Sequence, residues 1–257
     1  MVWSSLAMAD ELIDVAAKVK PSVVKILIYD EVGVPEAMGT GFYVSPTGHL
    51  VTNHHVIEQG AKLGAISPDG TERAVVGVLA VDEDRDLALL QVEGATESFL
   101  SLGSSEALVD GSKVSVYGNP LGLSWTFSSG IISGAGFERT AVKRNGQQRQ
   151  LGRTLQVSAS MMGQGNSGSP VFDNDGAVLG VIYSGIGDSG GIGFAIPVEA
   201  VKELISSAAV TPLKLDESQG RSFSARTRNL AISAAFFLGL AGWGIAQVVR
   251  RRKRPSF

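Results

Sequence analysis

The chain has 257 residues, 44% of them apolar and 18% charged, with a formal net charge of −3 and no cysteine; this is enough for one domain with a sizeable core or two small fused barrels. Charge is unevenly spread, with 14 Lys+Arg against 25 Asp+Glu through residue 220, then 8 basic residues and no acidic one. An acidic main body lacks the clustered cations that a phosphate backbone demands, which argues against nucleic-acid partners, and the missing thiols exclude disulfides, thiolate catalysis and Cys-ligated metal.

The first nine residues are apolar or small, and Ala7-Met8-Ala9 before Asp10 has the small-x-small form of a signal-peptidase site. Residues 1–9 therefore read as the remnant of a longer signal peptide; the competing reading is an ordinary start leading into a helix over 9–19. Short β-branched runs follow at 23–29, 40–44, 74–81, 87–92, 113–117 and 178–183, each with strand character. Turn chemistry separates them at Pro46-Thr47-Gly48, Pro68-Asp69-Gly70, Asn145-Gly146 and 173–176, and 32 glycines suit tight turns and barrel corners. The pattern predicts an all-β domain over 10–208, with residues 103–111 as the waist between two barrels of similar length. Helical periodicity returns at 197–207.

Residues 209–228 read as a linker. The span 229–249 contains a continuous apolar run from Leu230 to Val249 with Gln247 its only strongly polar residue, and at ~1.5 Å per residue it matches a ~30 Å hydrocarbon core. It predicts a transmembrane helix, with membrane lipid as a partner, closed by a basic tail over 250–257. Arg250, Arg251, Arg252, Lys253 and Arg254 put the C-terminus on the cytoplasmic side and the main domain outside the cytoplasm. Within this span Ala235, Gly239, Gly242 and Ala246 share one helical face, a pattern that favours self-association and hence a homo-oligomer. A C-terminal sorting signal removed after export is the other reading of the same segment.

Three segments carry the chemistry: Thr52-Asn53-His54-His55-Val56 at the close of a strand, Asp84-Arg85-Asp86-Leu87 at the opening of another, and Gly163-Gln164-Gly165-Asn166-Ser167-Gly168-Ser169-Pro170 at a sharp turn. A serine hydroxyl is a weak nucleophile near neutral pH. It needs an imidazole to take its proton, and the imidazole needs a carboxylate to fix its tautomer. Glycines around the serine permit a turn whose N–H groups, those of Gly165, Asn166 and Ser167, point at a developing oxyanion. The three histidines lack the spaced ligand pair of a zinc site, so neither metal nor cofactor is expected.

At these residues the sequence resembles the HtrA/DegP branch of trypsin-fold serine proteases, in the chain order His, Asp, Ser. Further motifs in register are Lys20-Pro21-Ser22-Val23-Val24-Lys25-Ile26, Gly39-Thr40-Gly41-Phe42, Gly118-Asn119-Pro120-Leu121-Gly122-Leu123, Ser129-Gly130-Ile131-Ile132-Ser133 and Gly191-Ile192-Gly193-Phe194-Ala195-Ile196-Pro197. The resemblance implies two perpendicular β-barrels with the active site between them, and hydrolysis of polypeptide substrates through an acyl-enzyme. It implies His55 as base, Asp86 as the residue that orients it and Ser167 as nucleophile. Adjacent His54 would face the other side of an extended segment. Gly187-Asp188-Ser189-Gly190-Gly191 spells the motif of digestive trypsins, yet Ser189 falls where the family has a variable loop, so Ser167 is preferred.

Asp82, Glu83 and Asp84 read as a solvated acidic turn, and the basic loop 139–153 as either a control element or a solvated loop. Neutral Asn166 before the nucleophile argues against cleavage-triggered activation. Met161, Ile182, Tyr183, Ser184 and Gly185 are expected to line the primary pocket, which favours small or medium aliphatic side chains. Too few residues separate Pro197 from the apolar span for a PDZ domain. The competing functional readings are a silent peptide-binding relative and an esterase using the same triad.

Overall fold

The computed structural model describes residues 3–58, 62–120, 125–142, 148–160, 165–185 and 191–208. The expected linker, membrane helix and basic tail, together with Met161, Ser189 and the Asn145-Gly146 turn, lie outside the described residues. Among the described residues no helix is long and apolar enough to cross a membrane. A first helix, α1 (Trp3–Val19), runs without a break through Ala7-Met8-Ala9.

Twelve strands then close into two barrels of six, both built from antiparallel neighbours. The first barrel contains β1 (Val23–Tyr29), β2 (Pro35–Tyr43), β3 (His49–Thr52), β4 (Lys62–Ile66), β5 (Glu72–Asp82) and β6 (Leu87–Val92), in the spatial order 1-2-3-6-5-4. The second contains β7 (Lys113–Gly118), β8 (Thr126–Val142), β9 (Gln148–Ala159), β10 (Pro170–Phe172), β11 (Val178–Gly185) and β12 (Ile192–Pro197), in the order 10-11-12-9-8-7. The expected all-β class, built as two barrels, holds.

Side-chain alternation explains why some strands read as unbroken apolar runs. In β6, Ala88, Leu90 and Val92 fill the first barrel, while Leu87 and Leu89 face a core shared by both barrels. In β12, Ala195 fills the second barrel while Phe194 and Ile196 join the shared core. That core also takes Phe42 and Val51 from the first barrel, Tyr117 and Phe172 from the second, and Val15 and Val19 from α1. Val198, Ala200, Val201 and Leu204 of helix α3 (Val198–Ser206) complete the cluster.

Two acidic residues one turn apart on α3 grip the elements beside it. Glu199 accepts hydrogen bonds from Ser105 N–H at 2.9 Å, Ser104 Oγ at 3.2 Å and Ser105 Oγ, all on the waist. Glu203 meets Arg85 in the turn before β6 at 2.5 Å, and Arg85 Nε donates to Asp82 at 2.6 Å. Asp82 is thus engaged rather than solvated, whereas Glu83 and Asp84 are exposed as expected. The basic loop expected over 139–153 is largely strand, because β8 continues to Val142 and β9 resumes at Gln148. Arg139 stacks on the Phe194 ring with 3.5 Å between the guanidinium carbon and the ring centroid.

Candidate active site

Strand β3 ends at Thr52, and the chain enters a single helical turn, α2 (His54–Ile57). This corrects the expectation that the histidine pair lies on extended backbone. Successive residues on a helical turn diverge by about 100° rather than 180°, and the two imidazoles separate for that reason. His55 Nδ1 lies 2.7 Å from Asp86 Oδ2, with Asp86 fully buried and the His55 side chain 34% exposed. His54 turns instead toward Glu58, with Nδ1 3.1 Å from Oε1. That contact holds the Glu58 carboxyl below its ordinary range, against the opposing effect of partial burial.

Asp86 adopts a left-handed backbone (φ 61°), a conformation that aspartate tolerates better than most residues. It places every acceptor of the residue on the 53–55 segment. Oδ1 accepts His55 N–H at 3.0 Å, and the backbone carbonyl accepts Asn53 Nδ2 at 2.9 Å and His54 N–H at 3.1 Å. A carboxylate is acceptor-only, so a proton between Asp86 and His55 belongs to Nδ1, and in the neutral tautomer this selects, Nε2 is the acceptor. An imidazole in that state can accept a proton from a hydroxyl.

The serine turn comes from the second barrel but is tied to the first. Thr40 N–H on β2 donates to Ser167 O at 2.8 Å, and Thr40 Oγ1 donates to Gly165 O at 2.8 Å. Gly168 N–H donates to Ile182 O at 2.8 Å, Ile182 N–H to Ser169 O at 2.9 Å and Ser169 N–H to Asn166 O at 2.8 Å. Position 168 admits only glycine: its φ is +87° and an added Cβ would sit 1.9 Å from Thr40 O. Ser167 is half-buried, while Asn166 and Ser169 are buried.

The expected pocket residues divide by depth. Ile182 belongs to the second barrel's core and Tyr183 to the shared core, whereas Ser184 and Gly185 are exposed at the end of β11. A bulge between Ile182 and Ser184 leaves Tyr183 out of the β11–β12 register and turns it toward Phe194, with ring centroids 6.3 Å apart. Sequence reasoning assigned no role to Thr40, Thr52 or Asn119. Their signal was a polar residue inside an otherwise apolar or glycine-rich stretch, and all three are fully buried and hydrogen-bonded to one another. Among the described residues no cluster of three His, Asp or Glu is placed to hold a metal.

The trypsin-like peptidase domain model matches residues 39–181. Protease Do-like 1, chloroplastic, of Arabidopsis thaliana is 36% identical over 183 residues, 68% of this chain and 40% of its own length. A probable periplasmic serine endoprotease DegP-like of Chlamydia muridarum is 36% identical over 180 residues, 67% of this chain and 35% of its own. This chain thus spans 40% or less of the length of either relative. Among solved structures, the active form of the Rv3671c protease from M. tuberculosis superposes with a TM-score of 0.68 at 27% identity, covering 77% of this chain and 86% of that one. The HtrA-type protease AlgW, solved with a tripeptide, gives 0.65 at 27% identity, covering 76% and 62%.

Proposed function

Because the chain belongs to the trypsin-like peptidase family, we propose that it is a serine endopeptidase of HtrA/DegP type in which Ser167 attacks, His55 accepts the proton and Asp86 orients the base. The observation that carries this reading is the 2.7 Å contact between His55 Nδ1 and the fully buried Asp86 carboxylate. It is supported by the tie between Ser167 O and Thr40, which holds the serine turn to the barrel that bears the other two residues.

In this mechanism Ser167 Oγ adds to the scissile carbonyl as its proton passes to His55 Nε2, and the imidazolium is stabilised by Asp86. The N–H groups of Gly165, Asn166 and Ser167 receive the negative oxygen, a contribution for which losing one donor costs about 3 kcal/mol in the transition state. His55 then returns the proton to the leaving amine, and water hydrolyses the acyl-enzyme by the same steps. The substrates are polypeptides. The open edge at Ser184 and Gly185, with no acidic residue expected there, favours small or medium aliphatic side chains before the cut.

The placement is extracytoplasmic, with a membrane anchor in the apolar span 229–249. Similarity to a probable periplasmic serine endoprotease supports the first part; sequence alone supports the second. The deciding experiment incubates the protein with unfolded casein and with a fluorophosphonate probe, beside Ser167→Ala and Ser189→Ala. Cleavage and labelling should vanish in Ser167→Ala and persist in Ser189→Ala. The opposite pattern transfers the chemistry to Ser189, and small-ester turnover without casein cleavage marks an esterase.

A further inference from the structure

We propose that Thr40 is a positioning residue for the oxyanion-binding turn, acting through carbonyls rather than through the triad; the proposal rests on the serine-peptidase reading above. The position of its hydroxyl proton follows from the neighbours. Asn119 N–H and Nδ2 both donate to Thr40 Oγ1, at 3.2 and 3.3 Å. The orientation of the Asn119 amide is set at its other end, where Oδ1 accepts Trp125 N–H at 3.0 Å. With those donors facing its lone pairs, Thr40 Oγ1 directs its single proton to Gly165 O at 2.8 Å. Thr52 Oγ1 fixes the Thr40 backbone by donating to its carbonyl at 2.7 Å.

Thr40 therefore holds two carbonyls of the turn, those of Gly165 and Ser167, from one side. Peptide planarity sets the opposite face. The Asn166 N–H runs antiparallel to the Gly165 carbonyl, away from Thr40. The Gly168 N–H runs antiparallel to the Ser167 carbonyl and reaches Ile182 O. Since the Asn166 carbonyl is turned to Ser169 N–H, the Ser167 N–H points the other way. Removing the hydroxyl would leave the half-buried Gly165 carbonyl without this donor, and the Asn119 donors facing a fully buried position that no longer accepts them, where an unmade hydrogen bond is costly. The 165–166 peptide plane would then lose this restraint, and with it the aim of an oxyanion donor.

Thr40→Ser keeps the hydroxyl, Thr40→Ala removes it, and Thr40→Val removes it at nearly constant volume. In the full chain, Thr40→Ser should keep kcat on a fluorogenic peptide within about threefold of the parent. Thr40→Ala and Thr40→Val should lower kcat by about 10- to 100-fold with KM within about twofold, less than the loss expected for deleting an oxyanion donor outright. Inhibition by an aliphatic peptidyl boronic acid, which needs the oxyanion donors, should weaken by the same factor. The pH profile should keep its midpoint, because the His55–Asp86 pair is untouched. Equal kcat in the Ser and Ala variants overturns the proposal, as does unchanged boronate affinity, or a kcat loss that disappears at temperatures well below each variant's melting point. If the valine variant does not fold, the Ser/Ala comparison decides alone. If the parent neither cleaves casein nor takes the fluorophosphonate, the peptidase reading fails and this proposal with it, a result distinct from equality of Ser and Ala.

Discussion

Asp86 is the residue at which backbone and chemistry are least separable. Its carboxylate is fully buried, so replacing His55 would strand a charge without its ring partner, a costly arrangement in a low-dielectric interior. Asp86→Asn is the more informative change, since asparagine also tolerates the left-handed backbone. Its amide would favour an imidazole with the proton on the wrong nitrogen. The expected result is a fold that melts within a few degrees of the parent and a kcat lower by about 10³- to 10⁴-fold, read by peptide hydrolysis. A variant with parental kcat would remove Asp86 from the mechanism.

Among the elements, α3 shows how a short amphipathic helix joins pieces distant in sequence. Burial alone would raise the pKa of Glu199, but the hydrogen bonds from Ser105 and Ser104 outweigh it and hold the carboxyl below its ordinary range. A carboxyl whose folded value is depressed stabilises the fold above its unfolded value, and that contribution is lost as pH falls through the folded one. Thermal melts between pH 7 and pH 3 should therefore steepen in the parent below about pH 4.5. Glu199→Gln should start a few degrees lower and lose less over the same range; parallel curves would refute the role.

Much at this scale was readable beforehand. The turns at Pro68-Asp69-Gly70 and 173–176 are marked by aspartates that accept backbone N–H groups two and four residues on, as local side-chain chemistry predicts. The helix over 197–207 and six of the twelve described strands carried local signals of their own. What remained hidden depends on contacts across the chain. The helical turn at His54–Ile57 follows a strand without a side-chain cap, and the exchange of the Thr40 hydroxyl with a turn 125 residues away has no local periodicity to reveal it. The residues proposed as the triad stand out as a spacing of motifs, yet the separation of His54 from His55 rests on backbone geometry that the alternation rule misjudged.

For the whole molecule, the shared core predicts that the two barrels unfold as one unit, since residues from both, from α1 and from α3 pack in a single cluster. Leu204→Ala should destabilise the protein by about 2–5 kcal/mol. Far-UV circular dichroism and tryptophan fluorescence should still report one coincident transition; two separated transitions would show that the barrels melt independently. The position of α3 also has a consequence for biosynthesis. A chain made from its N-terminus presents His55, Asp86 and Ser167 to its surroundings before β12 and α3 exist, while the second barrel is still open and the waist unclamped. On the proposed peptidase reading, competence to cut should thus arrive late in translation, after residues 192–206 have emerged and docked, so that the order of synthesis itself would keep a nascent copy inactive.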